Sequence, residues 1–323
     1  MSKHYICLTI DCDPDNLSGK SIDRNTLGWN GLEYLYSLPE ILLENFSDFI
    51  PVTWFIRIDE QIKNELGNEL YLFEKYTSFW EKTEKYKHEI AWHPHLYKKN
   101  SGGIYEIPTT QSEILDQLDR TWEQILDASL SFKAFRNGEG WLNEPLLERI
   151  KDWNFEVDST ALPGLFREDG HTMNWKEAPN EPYYPCNNDI SKPCSQNNIV
   201  EFPMNTWIVK APYDKNARLR YMNPAIHTPI FKSSLIGWSE NLKNTPKQPF
   251  YFWVLILHPD ELLPRNTSDL LYSWSISGLI NNLKALNTTI NQLGHTVEYL
   301  TLTDAAYTWK AKQEDATSNV SIK

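Results

Sequence analysis

Two carboxylates one residue apart, Asp11 and Asp13, close the apolar run Tyr5–Ile10 in the segment T-I-D-C-D-P-D. Two imidazoles with the same spacing, His93 and His95, stand in H-E-I-A-W-H-P-H-L-Y, and His258 ends the apolar stretch Tyr251–Leu257 in L-I-L-H-P-D-E-L. Alternate residues of an extended chain project to one side, so each close pair can face a single cavity. Carboxylate with imidazole is the donor chemistry of a divalent-metal hydrolase, with zinc favoured. Cys12, between the aspartates, should face away from them as a small buried residue. Singly, each of these residues has a duller explanation: Asp-x-Asp occurs in solvated loops, and a histidine before Pro259 can simply end a strand. Their joint appearance after apolar runs is what points to chemistry.

The elements that must position them follow from hydrophobic periodicity. Strand-like runs lie at Tyr5–Ile10, Val52–Ile58, Glu89–Trp92, Phe132–Arg136, Phe155–Ser159, Ile199–Met204, Tyr251–Leu257 and Val297–Leu302. Between many of them lie amphipathic helical patterns: Leu32–Phe46, Leu70–Tyr86, Gln111–Ala128, Glu144–Trp153 and Leu270–Leu293. Asn143 followed by Glu144 and Pro145 predicts a helix start, with a side-chain cap and proline in the first turn. Strand–helix alternation predicts an α/β fold with a parallel sheet, open or closed into a barrel, whose C-terminal strand ends carry the site. The stretch 163–249, rich in Pro, Asn and Tyr, breaks the rhythm and reads as loops and short strands covering one end of the sheet. The expectation is one domain over residues 1–310, with a disordered tail at 311–323.

At 323 residues and 41% hydrophobic content the chain can bury a substantial core. A net charge of -12 argues against a nucleic-acid partner. No apolar run approaches the roughly 18–20 residues that span a membrane. The N-terminus lacks a secretory pattern, which gives a cytoplasmic expectation. Four cysteines at this length make no disulfide framework. A Cys186–Cys194 bridge is sterically conceivable, but a cytoplasmic setting argues for free thiols. Thirteen tryptophans and sixteen tyrosines are a high aromatic load. Trp92, Trp141, Tyr183 and Tyr184 lie near the chemistry-bearing segments, either as sugar-stacking rings or as core.

The order of these segments resembles the polysaccharide deacetylase superfamily, the carbohydrate esterases with the NodB homology domain, from Asp11 to about Thr303. That resemblance implies a distorted, incomplete (β/α) barrel of the glycoside hydrolase/deacetylase type. It implies Asp11 as the base and Asp13 as a metal ligand, with Cys12 separating residues that are adjacent in the commonest form. His93 matches the first metal histidine. The second usually follows four residues later, where this chain has Tyr97, so His95 is the available substitute. Tyr97 is then a substrate contact or points away, and His88 is structural. F-R-N-G-E-G-W-L-N resembles the segment whose arginine holds the base: Arg136 matches it, and Gly138 stands where the family has proline. Asp158, in N-F-E-V-D-S-T-A-L-P-G, is the candidate partner that holds the imidazole of the general acid, His258.

The implied activity is metal-dependent removal of an N-acyl group, acetyl by expectation, from an amino sugar in a glycan or glycan precursor. The implied cofactor is a divalent ion, zinc first, with no organic cofactor, and the partner is the carbohydrate substrate. Two other readings fit fewer residues. A glycosyltransferase holding a metal-bound nucleotide sugar through Asp-x-Asp leaves His93, His95, Arg136 and His258 without work. A silent glycan-binding protein on the same fold needs no metal.

Overall fold

The eight apolar runs assemble into one sheet in a computed structural model that describes residues 1–15, 28–168, 172–267 and 270–320. The strands are β1 (Lys3–Cys12), β2 (Val52–Ile56), β3 (Glu89–Trp92), β4 (Ala134–Phe135), β5 (Val157–Asp158), β6 (Val200–Glu201), β7 (Phe250–Leu257) and β8 (Thr296–Tyr299). Their spatial order is β6-β5-β4-β3-β2-β1-β7, with β8 also paired to β1. Every pairing is parallel. β1 organises the sheet: residues 3–10 run along β7, while residues 3–6 pair with β8 and residues 8–12 with β2 on the other side. The sheet curls into a distorted, incomplete (β/α) barrel. The open edge of β7 is covered by the segment after β6: Val254 N–H donates to Asn205 Oδ1 at 2.6 Å and Ile256 N–H to the Met222 carbonyl at 3.1 Å.

Alternation along β1 splits the core in two. Ile6, Leu8, Ile10 and Cys12 face outward into a large cluster beneath the helices. Tyr5 and Cys7 face inward and meet Phe55, Ala134, Val157, Phe202 and Val254. Thr9 and Asp11 continue that inner row toward the C-terminal edge, so the inner core is the floor of the site. Burial of each large apolar side chain contributes about 1.5–3 kcal/mol.

The longer helices are α1 (Leu38–Asn45), α2 (Thr77–Lys85), α3 (Gln111–Asp127), α4 (Glu144–Asp152), α5 (Thr228–Asn244), α6 (Ile276–Gln292) and α7 (Leu302–Val320). The α4 start matches expectation, with Asn143 Oδ1 accepting from Leu146 N–H at 3.1 Å and Pro145 in the first turn. Two patterns predicted as continuous helices are broken. Leu32–Phe46 passes through a 3-10 turn at Leu35–Ser37 just before Pro39, and Leu70–Tyr86 is interrupted at Tyr76. Pro39 has no N–H to donate to the Leu35 carbonyl four residues earlier, which accounts for the first break. α6 begins at Ile276 rather than Leu270 because Ser275 caps it, accepting from Gly278 N–H at 3.1 Å.

Three expectations need correction. The stretch read as loops and strands contains α5, whose buried face is Phe231, Leu235 and Trp238. Serines, Gly237 and the exposed Ile236 blur that periodicity. The tail expected to be disordered from 311 is helical to Val320, consistent with its Ala, Lys, Gln and Glu content, and 321–323 lie outside the described residues. Cys186 and Cys194, expected as free thiols, form a disulfide. The hairpin of Tyr184–Cys186 and Asp189–Cys194 brings their Cα atoms to 5.0 Å, inside the range a bridge requires.

Candidate metal centre and active site

The chemistry-bearing residues lie at or just beyond successive strand ends. Asp11 and Asp13 close β1, His93 and His95 follow β3, Arg136 follows β4, and His258 follows β7. The ladder continues through them. His93 N–H donates to the Ile56 carbonyl at 2.9 Å and Arg136 N–H to the Trp92 carbonyl at 3.0 Å, while Ile10 pairs with Leu257 and so sets His258 level with Asp11.

Asp13, His93 and His95 offer ligand atoms that all lie within 4.8 Å of one another. The two Nε2 atoms are 3.2 Å apart, and Asp13 Oδ1 is 3.5 Å from His95 Nε2. His93 Nδ1 is 2.8 Å from the Arg136 carbonyl, so Nδ1 carries the proton and Nε2 presents its lone pair. Burial, aided by the charge of Arg57, pushes His95 well below the usual histidine range, so it is a neutral donor. Burial alone would raise the Asp13 carboxyl. His95, Arg57 and His93 outweigh it and hold the group well below the carboxylate range. An ionised carboxylate converging with two imidazoles fits a divalent ion, zinc included.

Arg57, which the sequence reading passed over, ties this set together. It is fully buried, and donates from Nη1 to Asp13 Oδ1 at 2.6 Å, from Nε to Asp59 Oδ2 at 2.6 Å and from Nη2 to Gln61 Oε1 at 2.8 Å. Asp59 Oδ2 also accepts from His95 N–H at 3.1 Å, so one network orients both ligands. The signal was present in the register. Cys12 pairs with Ile56, which puts Arg57 beside Asp13 once β1 and β2 are aligned.

Arg136 reaches Asp11 as the resemblance implies, through one bond from Nη1 to Oδ1 at 2.6 Å. Its other donors go to Thr9 Oγ1 at 3.0 Å, the Ser159 carbonyl at 2.9 Å and Ser159 Oγ at 2.9 Å. Its guanidinium lies 4.1 Å from the centre of the Phe55 ring. Asp11 Oδ2 is left facing the cavity, 3.8 Å from His93 Nε2.

Asp158 does not hold His258. It ends β5 fully buried, in register with Glu201 of β6, and accepts from Thr160 Oγ1 at 2.7 Å. Burial raises both of these acids, and Asp158 raises Glu201 further. The imidazole partner is Glu261, carried back by the 3-10 turn Pro259–Glu261. Its Oε1 lies 3.3 Å from His258 Nδ1, and its Oε2 accepts from His258 N–H at 3.0 Å and Asn223 Nδ2 at 2.7 Å. Burial draws the His258 pKa down, but the hydrogen bond and charge of Glu261, then Asp13 and Asp11, push it up to about 10. His258 Nε2 is 3.6 Å from Asp13 Oδ2. Glu261 three residues after the histidine is a local pattern that sequence reading could have weighed.

The cleft over these groups measures about 420 Å³. Tyr97 is not part of the Asp13, His93 and His95 group and donates to Glu139 Oε1 at 2.7 Å. His88 accepts from Val52 N–H at 2.8 Å at the start of β2, a structural bond. Of the aromatics considered for stacking, Trp92 and Trp141 are buried, Tyr183 is buried against its own hairpin, and Tyr184 packs on Trp309. The cleft is lined by Tyr221, Tyr272 and Trp274 instead.

No protein-family model and no curated protein matches the sequence. Solved structures do match in fold. A candidate polysaccharide deacetylase from Mycobacterium smegmatis aligns over 96% of this chain and 91% of its own at 17% identity and a TM-score of 0.50. A candidate glycoside hydrolase/deacetylase from Parabacteroides distasonis aligns over 96% and 71% at 12% identity and a TM-score of 0.54. At such identities the likeness is one of fold: the chain folds as the polysaccharide deacetylases do.

Proposed function

We propose that this protein hydrolyses the N-acyl amide of an amino sugar, with a divalent metal held by Asp13, His93 and His95. The observation that carries the reading is the convergence in one cleft of that ligand set, a carboxylate pinned by arginine, and a histidine backed by a carboxylate. When bound, the ion supplies Lewis-acid polarisation of the acyl carbonyl and a lowered pKa for water. Asp11 accepts a proton from the attacking water through Oδ2, while Arg136 holds Oδ1 and fixes the carboxylate. His258 donates its Nε2 proton to the departing amine nitrogen, and Glu261 orients the ring from Nδ1. The C–N bond breaks, leaving a carboxylate and a free amino sugar. The tie between Asp11 and Arg136 favours this over a nucleotide-sugar reading in which both aspartates hold the ion.

The test is deacetylation of N-acetylglucosamine oligosaccharides by the zinc-loaded protein. Asp11→Asn should lower turnover by about 10²–10⁴-fold while metal content stays at one per chain, because the amide keeps the shape but takes no proton. Near-normal turnover in that variant, or full metal occupancy in His93→Ala, would sink the proposal.

A further inference from the structure

Among the described residues, five non-glycine residues hold left-handed backbone: Lys87, Ser129, Glu139, Asn154 and Trp274, with φ of 58°, 57°, 61°, 61° and 49°. Lys87, Ser129 and Asn154 come two residues after α2, α3 and α4, where a left-handed residue is a common way for a helix to end. Glu139 and Trp274 have no such account, and both line the cleft. Glu139 sits between Gly138 and Gly140 in the turn after β4. Trp274 precedes Ser275, the cap of α6, and capping at a helix start makes no demand for left-handed backbone in the residue before it. Backbone strain in long or bulky side chains persists where surroundings over-determine it, and it gathers at ligand clamps.

Those surroundings are visible. Glu139 Oε1 and Oε2 accept from Tyr97 Oη at 2.7 Å and Arg167 Nη1 at 3.1 Å. The backbone around it is pinned by Asn137 Nδ2 on the Trp141 carbonyl at 2.6 Å and Trp175 Nε1 on the Gly140 carbonyl at 2.7 Å. Before Trp274, Ser273 N–H donates to the Ala225 carbonyl at 2.7 Å, and the indole meets Tyr272 edge-on at 5.4 Å. β4 and β7, which lead into these two segments, flank β3, β2 and β1 in the sheet, and β1 and β3 lead to the metal ligands. Both side chains line the same cleft as Asp13, His93 and His95.

Their chemistries are complementary to one class of ligand. A carboxylate has about four acceptor positions, and two on Glu139 are taken, which leaves two for hydroxyl donors. Arg167 beside it balances its charge, so the pair suits neutral hydroxyls rather than a free cation. The indole of Trp274 has two apolar faces, and the Arg265 guanidinium lies 5.0 Å from the centre of the ring. We infer that Glu139 and Trp274 clamp an uncharged pyranose ring above the metal site, Glu139 taking its hydroxyls and Trp274 covering its face. This rests on the amino-sugar reading given above.

The test compares kcat/KM for triacetylchitotriose with kcat/KM for p-nitrophenyl acetate, an ester without a sugar, in the zinc-loaded protein. Glu139→Gln and Trp274→Leu should each lower the sugar-to-ester ratio by about tenfold or more, the scale of one lost hydrogen bond to a charged group. Trp274→Phe, which keeps a flat ring, should recover part of that loss, and Glu139→Gln gives an independent reading should the tryptophan variants fold poorly. An unchanged ratio in Glu139→Gln and in every folded Trp274 variant overturns the clamp while leaving deacetylation standing. Equal losses on both substrates also overturn it, because the residues would then act on the chemistry. A wild-type protein that cleaves the ester but no N-acetyl amino sugar overturns the amino-sugar reading and the clamp with it.

Discussion

Replacing Gly138 by alanine places a methyl group inside the ring of a proposed metal ligand. A Cβ at this position falls 2.2 Å from His95 Cδ2, 2.4 Å from Cγ and 2.5 Å from Nε2. Ordinary contact begins at 3.4 Å, so the ring must retreat by about 1.2 Å, the difference from 2.2 Å. Gly138 is not among the glycines with left-handed φ, so alanine meets no backbone penalty and the effect is confined to His95. Metal–ligand distances tolerate about 0.2 Å, a sixth of that displacement. We expect zinc affinity to fall by about 10–100-fold or more, measured by competition with a chromogenic chelator. In a His95→Ala background the same substitution should cost nothing further, because its target is gone. Unchanged affinity in Gly138→Ala, or an undiminished effect without His95, would refute the reasoning. The contact also explains two departures from the family pattern at once. A histidine two residues after His93, instead of four, lies over the position where proline is usual, and glycine there makes room for it.

Glu261→Gln keeps the shape beside His258 but removes the charge, so the alkaline limb of kcat/KM should move toward lower pH. Amide turnover should suffer more than activated-ester turnover, and an unmoved limb would count against Glu261 as the partner of the acid. Glu201 has a folded pKa raised above 4.5, chiefly by burial and then by Asp158. Its unfolded form therefore releases a proton that the native form retains, and stability is lost as pH rises above 4.5 through the folded value. Glu201→Gln should flatten that decline, read as melting temperature between pH 5 and about 9, and parallel declines in both proteins would refute it.

The sheet was legible because parallel strands buried on both faces write themselves as short apolar runs rich in β-branched and aromatic residues. All eight runs became strands, with bounds shifted by a few residues. Six candidate site residues could be read from the ends of those runs, since a strand end fixes where the next side chain goes. What escaped depended on pairing across strands or on turns. Arg57 meets Asp13 only through the β1–β2 register. Glu261 displaced Asp158 because a 3-10 turn folds it back on His258, whereas Asp158 faces Glu201. Of the cleft aromatics, Tyr221 ends a short strand in the stretch read as irregular, Tyr272 and Trp274 fell inside the helical pattern Leu270–Leu293 whose helix starts only at Ile276, and the long α5 hid behind serines and an exposed isoleucine.

The inner core joins residues near residue 5 to residues beyond 300. Tyr5 and Cys7 share it with Leu302, Ala305, Ala306 and Trp309 of α7, whose first N–H groups, at Leu302 and Thr303, donate to Glu89 at 2.9 and 3.2 Å. During synthesis about 300 residues separate the emergence of Cys7 from that of Trp309, roughly 15–60 s at ordinary elongation rates. For that interval β1 lacks β8, and the trough beneath the catalytic edge stays open to water. The outer layer of helices can pack as it is made, but the floor of the site waits for α7. Nascent chains of this protein thus carry an exposed apolar channel until α7 has been made.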